Sequence, residues 1–140
     1  MRGVDQNSHH GGLLIYNVLS FGNGAHNYFL EETGPNFVRN CVSINGLVSV
    51  FGSGTTEDHN SWKAGPDETD HAQVNPDVGP INTSDFNCLT EACALAPRQP
   101  DGSLPTGFGR LLSGNAINKG IDVGLPYNGP APDLGPYETP

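Results

Sequence analysis

The segment that decides the fold is IYNVLSFGN (residues 15–23), because the chain repeats it as VRNCVSING (residues 38–46). An offset of 23 residues places Asn17 on Asn40 and Ser20 on Ser43, and apolar residues fall at equivalent positions in both copies. A weaker third copy, DHNSW (residues 58–62), places Asn60 20 residues after Asn40. Self-similarity at about 20 residues is typical of a solenoid.

The segments between these copies indicate that the solenoid is built of strands. HNYFL (residues 26–30) and LVSVF (residues 47–51) read as further short strands, and a turn that contains glycine follows each of them. Short β-rich segments separated by Gly and Asn corners favour a β-solenoid over a helical one. The sequence therefore predicts an all-β fold.

The recurrent asparagine has a physical reason in such a fold. A side-chain amide carries donors on one side and an acceptor on the other, so stacked copies can bond from coil to coil. We therefore expect Asn17, Asn40 and Asn60 to form a ladder along the axis; the alternative is three unrelated turn asparagines.

Proline divides the chain into two parts. Of the 12 prolines only Pro35 precedes Lys63, and proline is excluded from central strands because it cannot donate to a ladder. Residues 1–62 are thus predicted to form the coils, and residues 63–140 an irregular, proline-rich cap of the same domain. A solenoid needs its last coil covered, and we expect the proline-braced tail to do this.

The charge distribution excludes several classes of partner. The chain has 6 basic and 15 acidic residues, a net charge of -9 and a sequence pI near 4.6. No basic run is present, so we expect no nucleic-acid binding. Apolar runs such as GLLIY (residues 12–16) are too short to span a membrane, and residues 1–7 lack the apolar core of a signal peptide.

The three cysteines support more than one interpretation. Cys41 lies in an apolar run and reads as a buried free thiol. Cys88 and Cys93 lie five residues apart in a loop-like segment, either as a local disulfide or as free thiols. A zinc site is not expected, because no second Cys/His pair has ligand spacing.

Taken together, these segments resemble the pectate lyases of polysaccharide lyase family 9. The resemblance covers nearly the whole chain in family order. It is carried by residues 3–7 (GVDQN), 12–17 (GLLIYN), 23–27 (NGAHN), 40–43 (NCVS), 59–62 (HNSW), 97–98 (PR), 101–105 (DGSLP), 120–129 (GIDVGLPYNG) and 131–135 (APDLG).

This resemblance implies the last two to three coils of a right-handed parallel β-helix with an irregular, proline-rich C-terminal cap. It also implies a secreted parent protein that cleaves polygalacturonate, or a related acidic polysaccharide, by Ca²⁺-assisted β-elimination. In that reaction a lysine removes a proton while Ca²⁺, held by several aspartates, neutralises the uronate. We further expect a monomer.

The chain departs from the family at the catalytic groups. In relatives the lysine motif and the aspartate cluster precede the counterpart of residues 3–7, so neither has a matching position here. Lys63 and Lys119 are the only lysines, and neither lies in the family motif. We therefore assign no catalytic residue and no calcium ligand, and we expect the chain to be inactive alone.

Arg2, Asp5 and Asn7 are the candidate substrate-binding residues, because they adjoin the place of the family's catalytic coil. Strand alternation would project Asp5 and Asn7 to the same side. The alternative is that they serve coil stacking.

Other polar clusters are not expected to bind metal, because none alternates acidic residues around a glycine turn. They are His9-His10, Glu57-Asp58-His59, Asp67-Glu68 and Asp70-His71. Trp62 is interpreted as a packing residue.

Two other functions remain open from the sequence. One is a non-catalytic polysaccharide-binding or structural β-helix segment. The other is a glycoside hydrolase, which would need paired carboxylates, here Asp5 with Glu31 or Glu32.

Overall fold

Eight short strands wind into two full coils and the beginning of a third. The computed structural model describes residues 1–64 and 74–140. The strands are β1 (Val4–Asp5), β2 (Leu14–Tyr16), β3 (Leu19–Phe21), β4 (His26–Leu30), β5 (Asn36–Arg39), β6 (Val42–Ile44), β7 (Leu47–Val50) and β8 (Thr55–Asp58). A 3-10 helix (Thr83–Asp85) and the short helix α1 (Glu91–Ala94) follow.

The strands stack in parallel into three sheets, one for each side of the coil. Sheet 1 has the order β1-β4-β7, sheet 2 the order β2-β5-β8, and sheet 3 contains β3 and β6. Leu14 pairs with Phe37 and Leu19 with Val42, which is the 23-residue offset seen in the repeat. The architecture is a right-handed parallel β-helix, as predicted.

The interior of the coils is a column of mostly apolar side chains. Tyr28, Leu30, Val38, Val48, Val50, Cys41 and Trp62 form this cluster, and Val4, Ile15 and Val18 pack against it. The Tyr28 and Trp62 rings lie 4.8 Å apart, and Trp62 is only 3% exposed. Trp62 is therefore a packing residue, as expected.

The asparagine ladder is present, but only in part. Asn40 is fully buried, and its Nδ2 donates to Asn17 Oδ1 over 3.0 Å. Both residues have left-handed backbone, with φ of 54° and 56°, a conformation that asparagine adopts more readily than most residues. The prediction for Asn60 is wrong, because β5 and β8 pair with a 19-residue offset (Arg39 to Asp58).

His59 and Asn60, the two residues at the corner after β8, have different roles. His59, with φ of 50°, takes the left-handed position next to Asn40. Asn60 is buried one residue further on, where its Oδ1 accepts from the Cys41 backbone N–H at 2.9 Å and its Nδ2 donates to the Val38 carbonyl at 2.9 Å.

The C-terminal half packs along the side of the helix. Val42 and Ile44 of β6 point out of the coil and form a second apolar core with residues from that half, namely Val78, Phe86, Leu89, Leu111, Ala116 and Leu134. The tail also reaches the ladder, where Ile121 N–H donates to Asn40 Oδ1 and Asn40 Nδ2 donates to the Ile121 carbonyl, both at 2.8 Å. The tail thus covers the outer face of sheet 3, a different place from the end of the last coil that the sequence suggested.

Cysteines follow two of the anticipated patterns. Cys41 is a buried free thiol in the interior column. Cys88 and Cys93 form a disulfide around α1, whose Thr90 Oγ1 accepts from the Cys93 backbone N–H at 3.2 Å. Within the described ranges, no helix is long and apolar enough to cross a membrane.

Candidate functional site

The outer face of sheet 1 carries the candidate substrate residues. Val4, Tyr28 and the next strand's Val48 stand in register with their side chains in the interior column. Because side chains alternate along a strand, Asp5 and its register partner Phe29 point outward. The sheet therefore places an acidic and an aromatic side chain beside each other on adjacent coils.

Aromatic rings continue this face around Phe29. The His26 ring lies 4.9 Å from Phe29 in an edge-on arrangement, and the Phe51 ring lies 5.7 Å from it at an interplanar angle of 85°. All three residues are half-buried. Edge-to-face contacts of this kind hold rings at defined angles, so the face is an ordered aromatic surface.

Arg2 is fixed above this surface by two contacts. Its guanidinium carbon lies 3.4 Å from the centroid of the Phe29 ring, and its Nη1 donates to Asp5 Oδ2 at 3.1 Å. A cation stacked on an aromatic face and bound to a carboxylate is oriented by both. The Arg2 side chain is still 39% exposed, so an anion can reach it from solvent.

Asn7 reaches the site differently from the way the sequence suggested. β1 ends at Asp5, and Asn7 has left-handed backbone with φ of 46°. Its backbone N–H donates to Asp5 Oδ1 at 3.0 Å, so a turn, and not strand alternation, brings the two together. The substrate-binding role of Arg2, Asp5 and Asn7 stays a prediction.

The Gln6 side chain joins this turn to the next coil by hydrogen bonds. It is 4% exposed, its Oε1 accepts from the Glu32 backbone N–H at 3.0 Å, and its Nε2 donates to the His9 carbonyl at 2.7 Å. The carboxylate of Glu32 in turn lies 3.2 Å from His10 Nδ1. The loop that follows Asp5 is therefore held in place on both sides.

Sequence reasoning did not find the aromatic part of this face. His26, Phe29 and Phe51 lie in or directly after segments that the sequence predicted as strands. The alternation of side chains along β4 was the available signal. Tyr28 points into the interior column, so its neighbour Phe29 points outward. Nothing local, however, indicated that Arg2 would stack on a residue 27 positions away (2 to 29).

The face does not provide the groups of the elimination chemistry. Lys63 and Lys119 line clefts at another corner of the coil. Among residues 1–64 and 74–140, no three His, Cys, Asp or Glu side chains are grouped to hold a metal ion. Calcium prefers six to eight oxygen ligands, so the described residues do not fit it. Asp67, Glu68, Asp70 and His71 lie outside the described residues.

Comparison with known proteins extends these observations. No protein-family model matches the chain. It is 33% identical over 143 residues to pectate lyase L of Dickeya dadantii (strain 3937), covering 98% of this chain and 30% of that protein. Pectate lyase L of Dickeya chrysanthemi is also 33% identical, over 144 residues, with the same coverage.

A solved structure agrees with the sequence comparison. The crystal structure of pectate lyase Pel9A superimposes with a TM-score of 0.72 at 33% identity, and the match covers 98% of this chain and 32% of that one. The chain thus spans about a third of the length of the proteins it matches. Sequence and coil architecture agree along nearly all of its residues, so the chain is similar in both to about a third of these pectate lyases.

Proposed function

We propose that the chain binds polygalacturonate on the outer face of sheet 1, as the C-terminal part of a secreted pectate-lyase-like protein that acts as a monomer. The observation that carries this proposal is the Arg2 guanidinium, held over the Phe29 ring and against Asp5. A polyanionic chain would be repelled by a protein of net charge -9 unless a fixed cation receives its carboxylates. The aromatic rings beside Arg2 provide apolar surface for the C–H faces of the sugar.

The elimination reaction itself is assigned to groups outside the described residues. Ca²⁺-assisted β-elimination is what the similarity to pectate lyases suggests for a whole protein, and Ca²⁺ would neutralise the substrate carboxylate there. The described residues lack both a calcium ligand set and a lysine on this face. We therefore propose that the chain contributes binding and not proton abstraction.

Secretion is supported by the disulfide. Cys88 and Cys93 are bonded, and structural disulfides persist mainly in oxidising compartments. An extracellular location would also bring the protein to its polysaccharide.

The binding role is tested by replacing Arg2. We expect Arg2→Ala to weaken binding of the full chain to polygalacturonate about tenfold, the effect of losing one charge-assisted hydrogen bond. Arg2→Lys keeps the charge but loses the planar stack on Phe29, so it should restore binding only in part. Affinity electrophoresis in gels that contain polygalacturonate measures the change.

Arg98→Ala is the matched control, since it removes the same charge from an exposed position in the C-terminal half. It should leave retardation unchanged, and fully methyl-esterified pectin should retard none of the variants. Equal losses for Arg2→Ala and Arg98→Ala would mean that binding depends on net charge and not on this face.

The absence of turnover is tested separately. We expect the chain alone, with Ca²⁺ present, to release no unsaturated uronides from polygalacturonate, measured by their ultraviolet absorbance. A full-length pectate lyase L serves as the positive control in the same buffer. Calcium-dependent release by the chain would overturn the assignment of catalysis to other groups.

A second candidate is a non-catalytic polysaccharide-binding or structural β-helix segment. The same lack of a base and metal ligands among the described residues favours it. The two candidates differ when the chain replaces its counterpart in a full-length pectate lyase L. Uronide release by that chimera would support the first candidate, the C-terminal part of a pectate-lyase-like protein. Retention of the polymer without turnover would support the second.

A further inference from the structure

A cleft lies at the corner after β8, where the coil meets the C-terminal half. Its volume is ≈ 250 Å³, and the polar side chains in its lining are Asp58, His59, Asn75, Asp77, Asn118 and Lys119. It continues past Glu57 and Lys63 into a neighbouring cleft of ≈ 240 Å³. This corner connects sheet 2 to the chain beyond it, so the cleft is separate from the outer face of sheet 1.

His59 occupies a left-handed backbone position at this corner. The pairing of Arg39 with Asp58 places it next to Asn40 in the ladder, with φ of 50°. Left-handed backbone is uncommon for residues other than glycine, and histidine, like asparagine and aspartate, is among the side chains that adopt it more often. The third coil thus has an imidazole, at the edge of the cleft, in the position where the first two coils have an amide.

The imidazole of His59 has a defined orientation. Its Nδ1 lies 2.6 Å from Asp58 Oδ1, and the second oxygen of Asp58 lies 3.8 Å from Arg39 Nε. The bond through Nδ1 turns Nε2 away from the carboxylate. The negative charge of Asp58 is already shared between Arg39 and His59, so it is not the charge that dominates the cleft.

Lys119 lies in a turn that is held by a hydrogen bond on each side of it. The preceding Asn118 donates its backbone N–H to Asp133 Oδ1 at 2.7 Å, and the following Gly120 donates its own to the Pro132 carbonyl at 2.7 Å. Asp133 is 1% exposed. Among residues 1–64 and 74–140, Lys119 makes no ion pair, so its ammonium can accept an anionic ligand.

Other residues of the cleft lining offer acceptors. Asn75 Nδ2 donates to the Asn60 carbonyl at 2.9 Å, and its Oδ1 accepts from the Asp77 backbone N–H at 3.0 Å. These two bonds hold the Asp77 turn, and the Asp77 side chain is exposed. A ligand in the cleft therefore meets both a cation and a carboxylate that accepts hydroxyl hydrogens.

We propose that this cleft is a second carbohydrate site, which binds the uronate end of a short acidic oligosaccharide. Lys119 receives the sugar carboxylate, while His59 Nε2 and Asp77 accept hydrogen bonds from the ring hydroxyls. The choice of a uronate rests on the proposed function; the site itself rests on the geometry of His59 and Lys119. Its volume of ≈ 250 Å³ suits one or two sugar rings.

Calorimetric titration of the full chain with trigalacturonate tests the site. We expect His59→Asn and Lys119→Gln each to weaken binding about tenfold or more, which is about 1.4 kcal/mol. Asparagine is favoured at the left-handed ladder position, so His59→Asn should keep or raise the thermal midpoint. Loss of binding in that variant is therefore not a loss of fold.

The remaining measurements distinguish this site from the outer face of sheet 1. His59→Asn and Lys119→Gln should each weaken trigalacturonate binding by the same factor in the parent and in an Arg2→Ala background. Arg2→Ala should weaken polymer binding, and neutral galactotriose should not bind. Polymer binding that depends on Arg2, together with trigalacturonate binding that ignores His59 and Lys119, would overturn the cleft proposal alone. Trigalacturonate binding that depends on His59 and Lys119 without any Arg2-dependent polymer binding would overturn the proposed function alone.

Discussion

Asn40→Ala is expected to lower the free energy of unfolding by about 4 kcal/mol. The fully buried amide of Asn40 donates to Asn17 Oδ1 and the Ile121 carbonyl and accepts from Ile121 N–H. Each lost bond costs about 1 kcal/mol when its partly buried partner loses its hydrogen bond, and an alanine with left-handed backbone adds about 1 kcal/mol. Because one amide joins two coils to the tail, its loss loosens the attachment of the C-terminal half as well.

Two other variants divide this loss into its causes. Asn40→Gly removes the amide without backbone strain, so it should cost about 3 kcal/mol. Asn45→Ala changes an exposed asparagine with φ of 53°, and it should cost only about 1 kcal/mol. Urea unfolding measures all three, and an Asn40→Ala loss no larger than that of Asn45→Ala would contradict the stabilising role of the ladder amide.

The protein is expected to lose stability on the alkaline side because of Cys41. Burial in the interior column raises the pKa of this thiol from 9.0 to about 11. Above pH 9 the unfolded thiol ionises while the folded thiol keeps its proton, so the stabilisation is complete below pH 9 and is lost as the pH rises to about 11. A difference of two pKa units corresponds to about 3 kcal/mol.

Tyr28 extends this sensitivity to higher pH. Its hydroxyl donates to the Val18 carbonyl at 2.6 Å, and burial, followed by the nearby Cys41, raises the pKa of this phenol well above its ordinary value. Cys41→Ser has no thiol to titrate and keeps a donor for the Arg39 carbonyl, to which Cys41 Sγ lies 3.2 Å away. Urea midpoints measured from pH 8 to 11 should therefore fall more steeply for the parent than for Cys41→Ser, and parallel curves would contradict the role of Cys41.

The first two coils could be predicted from the sequence because their repeat is also their register. The 23-residue offset that aligns Asn17 with Asn40 is the offset at which β2 pairs with β5 and β3 with β6. Identical corner residues need identical backbone conformation, and stacked amides bond only in register. Sequence similarity and hydrogen bonding therefore select the same alignment.

The third coil was predicted less well because its strand is polar. β8 consists of Thr55, Thr56, Glu57 and Asp58, which show no apolar alternation, and it is held by parallel pairing with β5. Matching asparagines placed Asn60 in the ladder, but the backbone pairing placed His59 there. Register is decided by which strands lie side by side, and a single matching side chain does not determine it.

The candidate site could be predicted only in its polar members. Arg2, Asp5 and Asn7 were identified by their position along the chain, while the stack of Arg2 on Phe29 and the edge contact with Phe51 depend on coils lying beside one another. The cleft that contains His59 and Lys119 is a stronger example, because these residues are 60 positions apart (59 to 119). No periodic signal connects them.

By itself, the sequence determined the winding of the chain: short strands, asparagine corners, a 23-residue coil, and a proline-rich half that does not continue it. Those properties are local or periodic, since each depends on backbone preferences that recur from coil to coil. Only the tertiary structure decided that the C-terminal half lies along sheet 3, that Arg2 rests on Phe29, and that Lys119 and His59 line one cleft. These contacts depend on where distant segments meet once apolar surface is buried, and burial is not directional.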